Sequence, residues 1–393
     1  MVMEGPLAPW ADGLAVRLTT LGYAPSTQPE QMRLASKLSQ FLQQRGLEAG
    51  QLSAEVVEGF LADLRARRGS RWPTPKSLGW LVEYLRESGV VPVPPPAAPR
   101  TREEELAGRY RWYLVDERGL ARKTVTARER TALLFLAEHP AAGLQDLSAG
   151  DVSRFVTRQC RNLSERSAER LVNGLRSFLR FALTEGLIKA PLAGAVPSVA
   201  RRSGAGLPRG LAREQVAALL ASCDRSRATG RRDYAILVLL ARLGLRAAEV
   251  AGLRLDDIDW RAGEIVVRGK GRTEERLPLP CDVGEVIAGY LRRDRPQRPE
   301  REVFLRASAP LRGLAPEGVS EVVRAASERA GLGSFGAHRL RHTAGTEMLR
   351  AGASLPEVAQ VLRHRSVATT VIYAKVDHLA LRELAMPWPG AGR

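Results

Sequence analysis

Four short segments in roughly the last 150 residues carry side chains suited to phosphodiester chemistry. They are Leu243-Gly-Leu-Arg246-Ala-Ala-Glu249, Gly269-Lys270-Gly271, His338-Arg-Leu-Arg341-His342, and Leu362-Arg363-His364 followed by Tyr373. Two arginines can grip the non-bridging oxygens of a phosphate bidentately, which a lysine cannot do. A lysine can give up a proton, which an arginine with a pKa above about 12 cannot. A tyrosine oxygen can become bonded to phosphorus. Each of these residues also has an ordinary reading. Arg246 and Glu249 are spaced as an i,i+3 helical pair worth about 0.2–0.5 kcal/mol. Lys270 between two glycines suits a solvated hairpin tip. His338 and His342 share a helical face with the spacing of a zinc pair. The glutamate of a zinc-protease helix is missing, however, and Arg339 and Arg341 would repel a metal, so no metal is expected.

The charge of the whole chain points to a polyanionic partner. Sixty Lys and Arg stand against 43 Asp and Glu, a formal charge of +17. That surplus suits a protein that neutralises phosphates and releases their counterions. Only six of the 60 are lysines (37, 76, 123, 189, 270 and 375), so Lys270 is a departure from the local habit of using arginine. Cys160, Cys223 and Cys281 are few and widely spaced, which argues against a disulfide framework or a zinc cluster. The first residues lack the pattern of a signal peptide, and the most apolar run, Tyr234 to Leu245, is too short to span a bilayer. A cytoplasmic location is expected.

The elements that must position these residues divide at two linkers. Residues 91–100 are rich in proline and read as a stiff spacer, and 196–210 are rich in Gly, Pro and Arg. They separate segments 1–90, 101–195 and 211–393. The first two segments read as copies of one helical unit. Gly22 to Thr27 lies 97 residues before Gly119 to Thr124, Leu52 to Val57 lies 95 before Leu147 to Val152, and Leu78 to Tyr84 lies 97 before Leu175 to Phe181. Apolar positions 171, 172, 175, 178, 179, 181 and 182 repeat near 3.6, a helix stopped by Gly186 and Pro191. In the last segment, helices are expected over about 211–223 and 233–242, broken at Gly244, and again from Arg246. Residues 265–268 and 275–279 read as a β-hairpin with Lys270 at its turn. The expected fold is mainly α with a small β-hairpin or sheet.

Taken together and in this order, the four segments, with Thr369-Thr-Val-Ile-Tyr373, resemble the tyrosine recombinases of the phage integrase and Xer type. Residues 101–195, above all Leu175-Arg-Ser-Phe-Leu-Arg-Phe-Ala, resemble the helical core-binding domain that precedes the catalytic domain in that family. The resemblance implies that Tyr373 attacks the scissile phosphate of double-stranded DNA, leaving a 3′-phosphotyrosine and a free 5′-hydroxyl, with no metal, nucleotide or other cofactor. It assigns Arg246 and Arg341 to the transition-state charge, Lys270 to the departing 5′-oxygen, His338 to proton acceptance and His364 to a non-bridging oxygen. Glu249 and His342 would orient these groups. Arg122, Lys123, Arg128, Arg158, Arg161 and Arg363 are candidate DNA contacts. The family further implies a tetramer on two sites, with the tail 376–389 docking into a neighbouring subunit. Two departures stand out. Leu243 replaces a usual Thr or Ser, and Arg363 replaces a usual Gly, which calls for room and a right-handed helical backbone at that position. The alternatives are a type IB topoisomerase-like activity and a DNA-binding accessory protein that does not cut.

Overall fold

The computed structural model describes residues 3–68, 73–93, 101–199, 210–269 and 273–363. They form two compact units, one of residues 3–92 with 210–363 and one of residues 93–199. Four helices open the first unit: α1 (Ala11–Thr20), α2 (Gln28–Gln44), α3 (Ala54–Arg68) and α4 (Pro75–Glu87). The second unit is α5 (Arg102–Trp112), α6 (Arg122–Leu136), α7 (Ala149–Cys160) and α8 (Glu165–Thr184).

Each set of four helices closes around its own apolar core. Phe60, Leu78, Leu81, Leu85 and Val91 are buried in the first, and Phe155, Leu175, Phe178, Ala182 and Ile188 are buried at the corresponding places in the second. The last helix of each set ends alike. Gly89 and Gly186 take φ of 71° and 66°, which costs glycine nothing. The following amides then reach back to the helix, Val90 to the Leu85 carbonyl at 2.9 Å and Leu187 to that of Ala182 at 2.8 Å.

Residues from 210 onward supply α9 (Arg213–Ala221), α10 (Ala228–Leu243), α11 (Ala247–Ala251), α12 (Cys281–Arg293), α13 (Pro316–Arg329), α14 (His338–Arg350) and α15 (Leu355–Val361). Helix α10 is the centre of this core. Ala235 to Leu240 are all buried, so it is apolar on every side and is covered by α12, α13 and α14. Between α11 and α12 lies an antiparallel sheet of β1 (Ile258–Asp259), β2 (Glu264–Arg268) and β3 (Glu274–Pro278), in that order. Ile265 pairs with Leu277 and Val267 with Glu275. Ile265 and Val267 point into the core while Arg268 faces out, the period of two expected of a half-buried strand. The expected hairpin is present. Strand β1 is an addition, and its two residues are too few to show a periodicity.

The first four helices pack on the long loop between α12 and α13. The Leu311 amide donates to the Leu21 carbonyl at 2.9 Å, Arg298 donates to the Thr20 carbonyl, and Arg312 pairs with Glu83 at 2.8 Å. A side chain at Gly22 would begin 2.5 Å from Leu311 Cδ1, so the loop can approach only because none is there. Among the described residues no helix is long and apolar enough to cross a membrane.

Candidate active site and cationic surface

Gly244 ends α10 in the left-handed conformation, at φ 58°. A Cβ there would lie 2.6 Å from Leu362 Cδ2, so both the backbone and the packing demand glycine. Two residues on, Arg246 is the N-cap of α11, with an extended backbone. Its amide donates to Glu249 Oε2 at 2.8 Å and its Nη1 to Glu249 Oε1 at 2.5 Å. One carboxylate in the first helical turn, where the dipole favours negative charge, therefore fixes both main chain and side chain. The Glu249 side chain is 2% exposed and that of Arg246 40%. Arg246 is thus anchored by Glu249 while a good part of its side chain stays exposed.

Arg341, on α14, is 2% exposed and donates through Nη1 to the Gly244 carbonyl at 2.6 Å. The fold brings Arg246 and Arg341 to the same turn from positions about a hundred residues apart. His338 and His342 stand one turn apart on α14, with ring centroids 4.4 Å apart in an edge-to-face arrangement. Burial, then the neighbouring His338 and Arg341, lower the His342 pKa to about 4. The ring is therefore neutral in ordinary buffers. Among the described residues no third His, Cys, Asp or Glu joins the pair into a metal-binding cluster.

Arg363 requires a correction. Its backbone is left-handed, φ 54°, not right-handed, and its side chain is 4% exposed, turned into the protein rather than outward as a surface contact would need. Leu362 fills the space above Gly244, and the left-handed turn that follows α15 directs the next side chain inward. There its Nη2 meets Glu249 Oε2 at 2.7 Å and its Nη1 the Val361 carbonyl at 3.0 Å. The Arg363 carbonyl accepts from Arg246 Nη2 at 2.9 Å, which closes a ring of contacts. Burial alone would raise the Glu249 carboxyl, but the Arg246 amide and the charges of Arg363 and Arg246 outweigh it and hold the pKa below the usual range. Glu249 is therefore ionised. A lone Arg246–Glu249 pair would be neutral; with Arg363 the cluster keeps one net positive charge facing outward.

Lys270, His364, Tyr373 and the tail 376–389 lie outside the described residues. The described residues on either side of positions 270–272 are firmly joined. Arg268 reaches both oxygens of buried Asp257 at 2.5 Å and Glu274 at 2.9 Å, and the Gly269 amide donates to the Thr273 carbonyl at 2.8 Å.

In the unit of residues 93–199, a cavity of about 280 Å³ is lined by Arg118, Arg128, Asn173, Arg176, Ser177 and Arg180. Of the candidate DNA contacts, only Arg128 is among them; it donates to Ser177 Oγ at 3.1 Å. Arg122 and Lys123 are exposed at the start of α6, Arg158 is paired with Glu138, and Arg161 lies at the end of α7. Three of the other lining residues, Asn173, Arg176 and Arg180, are spaced i, i+3, i+7 along one face of α8, a pattern visible in the sequence.

Residues 209–379 match the phage integrase family, and residues 108–186 match the N-terminal SAM-like domain of phage integrases. The chain belongs to the phage integrase family of tyrosine recombinases, enzymes that break and rejoin DNA strands at specific sites. It is similar along nearly its whole length to "Putative integrase/recombinase y4rA" of Sinorhizobium fredii, at 42% identity over 396 residues that cover 98% of this chain and 96% of that one. "Tyrosine recombinase XerD" of Mycobacterium leprae is 34% identical over 313 residues, 74% of this chain and 96% of the relative. The fold is like that of XerH site-specific recombinase, solved bound to a palindromic difH substrate in a post-cleavage complex. That likeness has a TM-score of 0.57 and 18% identity, and covers 90% of this chain and 95% of XerH.

Proposed function

We propose that this recombinase cuts double-stranded DNA with Tyr373 and rejoins it through a 3′-phosphotyrosine, with residues 211–393 as the catalytic domain and 101–195 as the core-binding domain. The observation that supports this most is the convergence of Arg246 and Arg341 on the Gly244 turn, held by groups that leave Arg246 open on one side. Fixed donors of that kind stabilise the charge that builds on the phosphate oxygens without having to reorganise. The Tyr373 oxygen attacks phosphorus and the 5′-oxygen departs, taking its proton from Lys270. His338 accepts the tyrosine proton, since a phenol with a pKa of about 10 needs a base or strong positive surroundings. His364 donates to a non-bridging oxygen, and Glu249 and His342 orient the set. The 5′-hydroxyl of a second strand then attacks the phosphotyrosine and releases the tyrosine, so the number of phosphodiester bonds is conserved. No metal, nucleotide or other cofactor takes part. The active assembly is a tetramer on two DNA sites, linked through the tail 376–389, in the cytoplasm.

A nicked substrate that traps the covalent complex tests the assignment. Wild-type protein should give a denaturant-resistant adduct, and Tyr373→Phe should bind the same DNA without forming one. An adduct with the Phe variant overturns Tyr373 as the nucleophile. Product formation from two matched sites, and not from one, separates recombination from topoisomerase-like relaxation.

A further inference from the structure

The two sets of four helices share a buried pattern, but the face that is cationic in one is changed in the other. The cavity of residues 93–199 is lined by Arg118, Arg128, Asn173, Arg176, Ser177 and Arg180. The positions 97 residues earlier hold Leu21, Gln31, Lys76, Gly79, Trp80 and Glu83. One contact survives in altered form. Trp80 Nε1 donates to Gln31 Oε1 at 3.2 Å where Arg128 donates to Ser177, and each pair is 49 residues apart in the chain. Trp80 is 4% exposed and fills the place that Ser177 leaves open. None of the four arginines remains.

That altered face is occupied by the loop between α12 and α13. The Leu21 carbonyl accepts from the Leu311 amide, Gly22 receives the Leu311 side chain, and Glu83 pairs with Arg312. Tyr23, Arg232, Tyr290, Leu305 and Leu311 line a cavity between the two partners. The loop brings Arg298, Arg306 and Arg312, cations that a face lined with arginines would repel. Leucine in place of Arg118 and glutamate in place of Arg180 remove that repulsion.

We propose that residues 3–93 are a docking module for the catalytic segment, built on the core-binding scaffold with its cationic face exchanged for one that holds the 298–312 loop. Its role is to brace the helix that carries Arg246. The docked loop runs directly into that support: the Val303 amide donates to the Leu253 carbonyl and the Leu255 amide donates to the Arg301 carbonyl, both at 2.8 Å. Leu253 lies two residues beyond the end of α11.

The test uses the full-length chain carrying Leu311→Asp, which places a charge against Gly22. Hydrogen exchange should lose protection over 298–312 and over α11, and covalent cleavage should slow, while DNA affinity and its salt dependence stay those of the wild type. Unchanged protection at 298–312 overturns the docking, and a loss of affinity with a shallower salt slope overturns it in favour of a DNA clamp. A charge exchange guards against simple misfolding. Glu83→Arg and Arg312→Glu should each reduce protection of the loop and together restore it; no recovery in the double variant also counts against the proposal. Because cleavage and exchange are read separately, failure of the Tyr373 assignment leaves the exchange result standing.

Discussion

In residues 93–199, Arg118, Arg176 and Arg180 line an open cavity and are held lightly. Arg176 reaches the Val196 carbonyl at 2.9 Å and Ser198 Oγ at 3.0 Å, Arg118 reaches the Tyr113 hydroxyl at 3.2 Å, and Arg180 is exposed on α8. In the catalytic segment, Arg246, Arg341 and Arg363 are locked by one buried carboxylate and three main-chain carbonyls. Both groups present positive charge, and they differ in freedom. Cations on flexible stems can follow a phosphate backbone of any sequence and contribute affinity with a strong salt dependence. Cations fixed before the substrate arrives contribute to the rate, because nothing has to reorganise as charge develops.

The largest break in this contrast is Arg246→Ala. Single-turnover cleavage should fall by about 10²–10³, the cost of losing one fixed donor to transition-state charge, with DNA affinity little changed in a filter-binding titration. A parallel loss of affinity would place Arg246 with the mobile cations instead.

Next is Arg363→Met, which leaves Glu249 buried with one cation fewer. Removing one partner of a buried pair costs on the order of 3 kcal/mol, to be read by urea unfolding. Cleavage should slow as well, since the cluster loses its net positive charge. Adding Glu249→Gln should recover part of the stability by removing the stranded carboxylate. If Arg363→Met alone is as stable as wild type, the ring around Glu249 is not a support.

Arg176→Ala with Arg180→Ala sharpens the other side. The salt slope of DNA binding should become shallower by about 0.9 for each phosphate no longer neutralised, while cleavage at saturating DNA keeps its rate. A slower rate at saturation would show that these arginines do more than bind.

The smallest effect concerns pH. Unfolded His342 takes a proton near pH 6.5 and the folded residue only near 4, so between those values the unfolded chain binds more protons. The contribution to stability is full above about pH 6.5 and declines as the pH falls toward 4. The melting temperature should therefore drop on acidification, and less steeply in His342→Gln over pH 6.5 to 5. Identical slopes would mean that the ring is more accessible than the structure places it.

What the sequence reveals follows the distance over which each contact acts. The Arg246–Glu249 clamp spans three positions and is visible as helical spacing, although its geometry is that of an N-cap and not of a surface pair. The hairpin is visible through the alternation of Ile265 and Val267. Arg363 misleads, because its direction depends on Leu362 meeting Gly244 and on a carboxylate 114 positions earlier. The cores of the two helical units are legible at fixed separations because burial constrains both. Their outer faces are not, since what a surface touches is written in another part of the chain.

The loop that docks on the first four helices is made long after them. Arg298 and its acceptor Thr20 are 278 residues apart, and at about 5–20 residues per second the ribosome needs on the order of tens of seconds to cover that distance. Residues 3–93 have their own core and can close around it during this interval. Their docking face must then wait, exposed and without its partner, while residues 93–199 and about half of the segment from 210 onward are still being synthesised. Trp80 is buried, and Lys76 and Glu83 put charge on that face, a surface that disfavours apolar association during the wait.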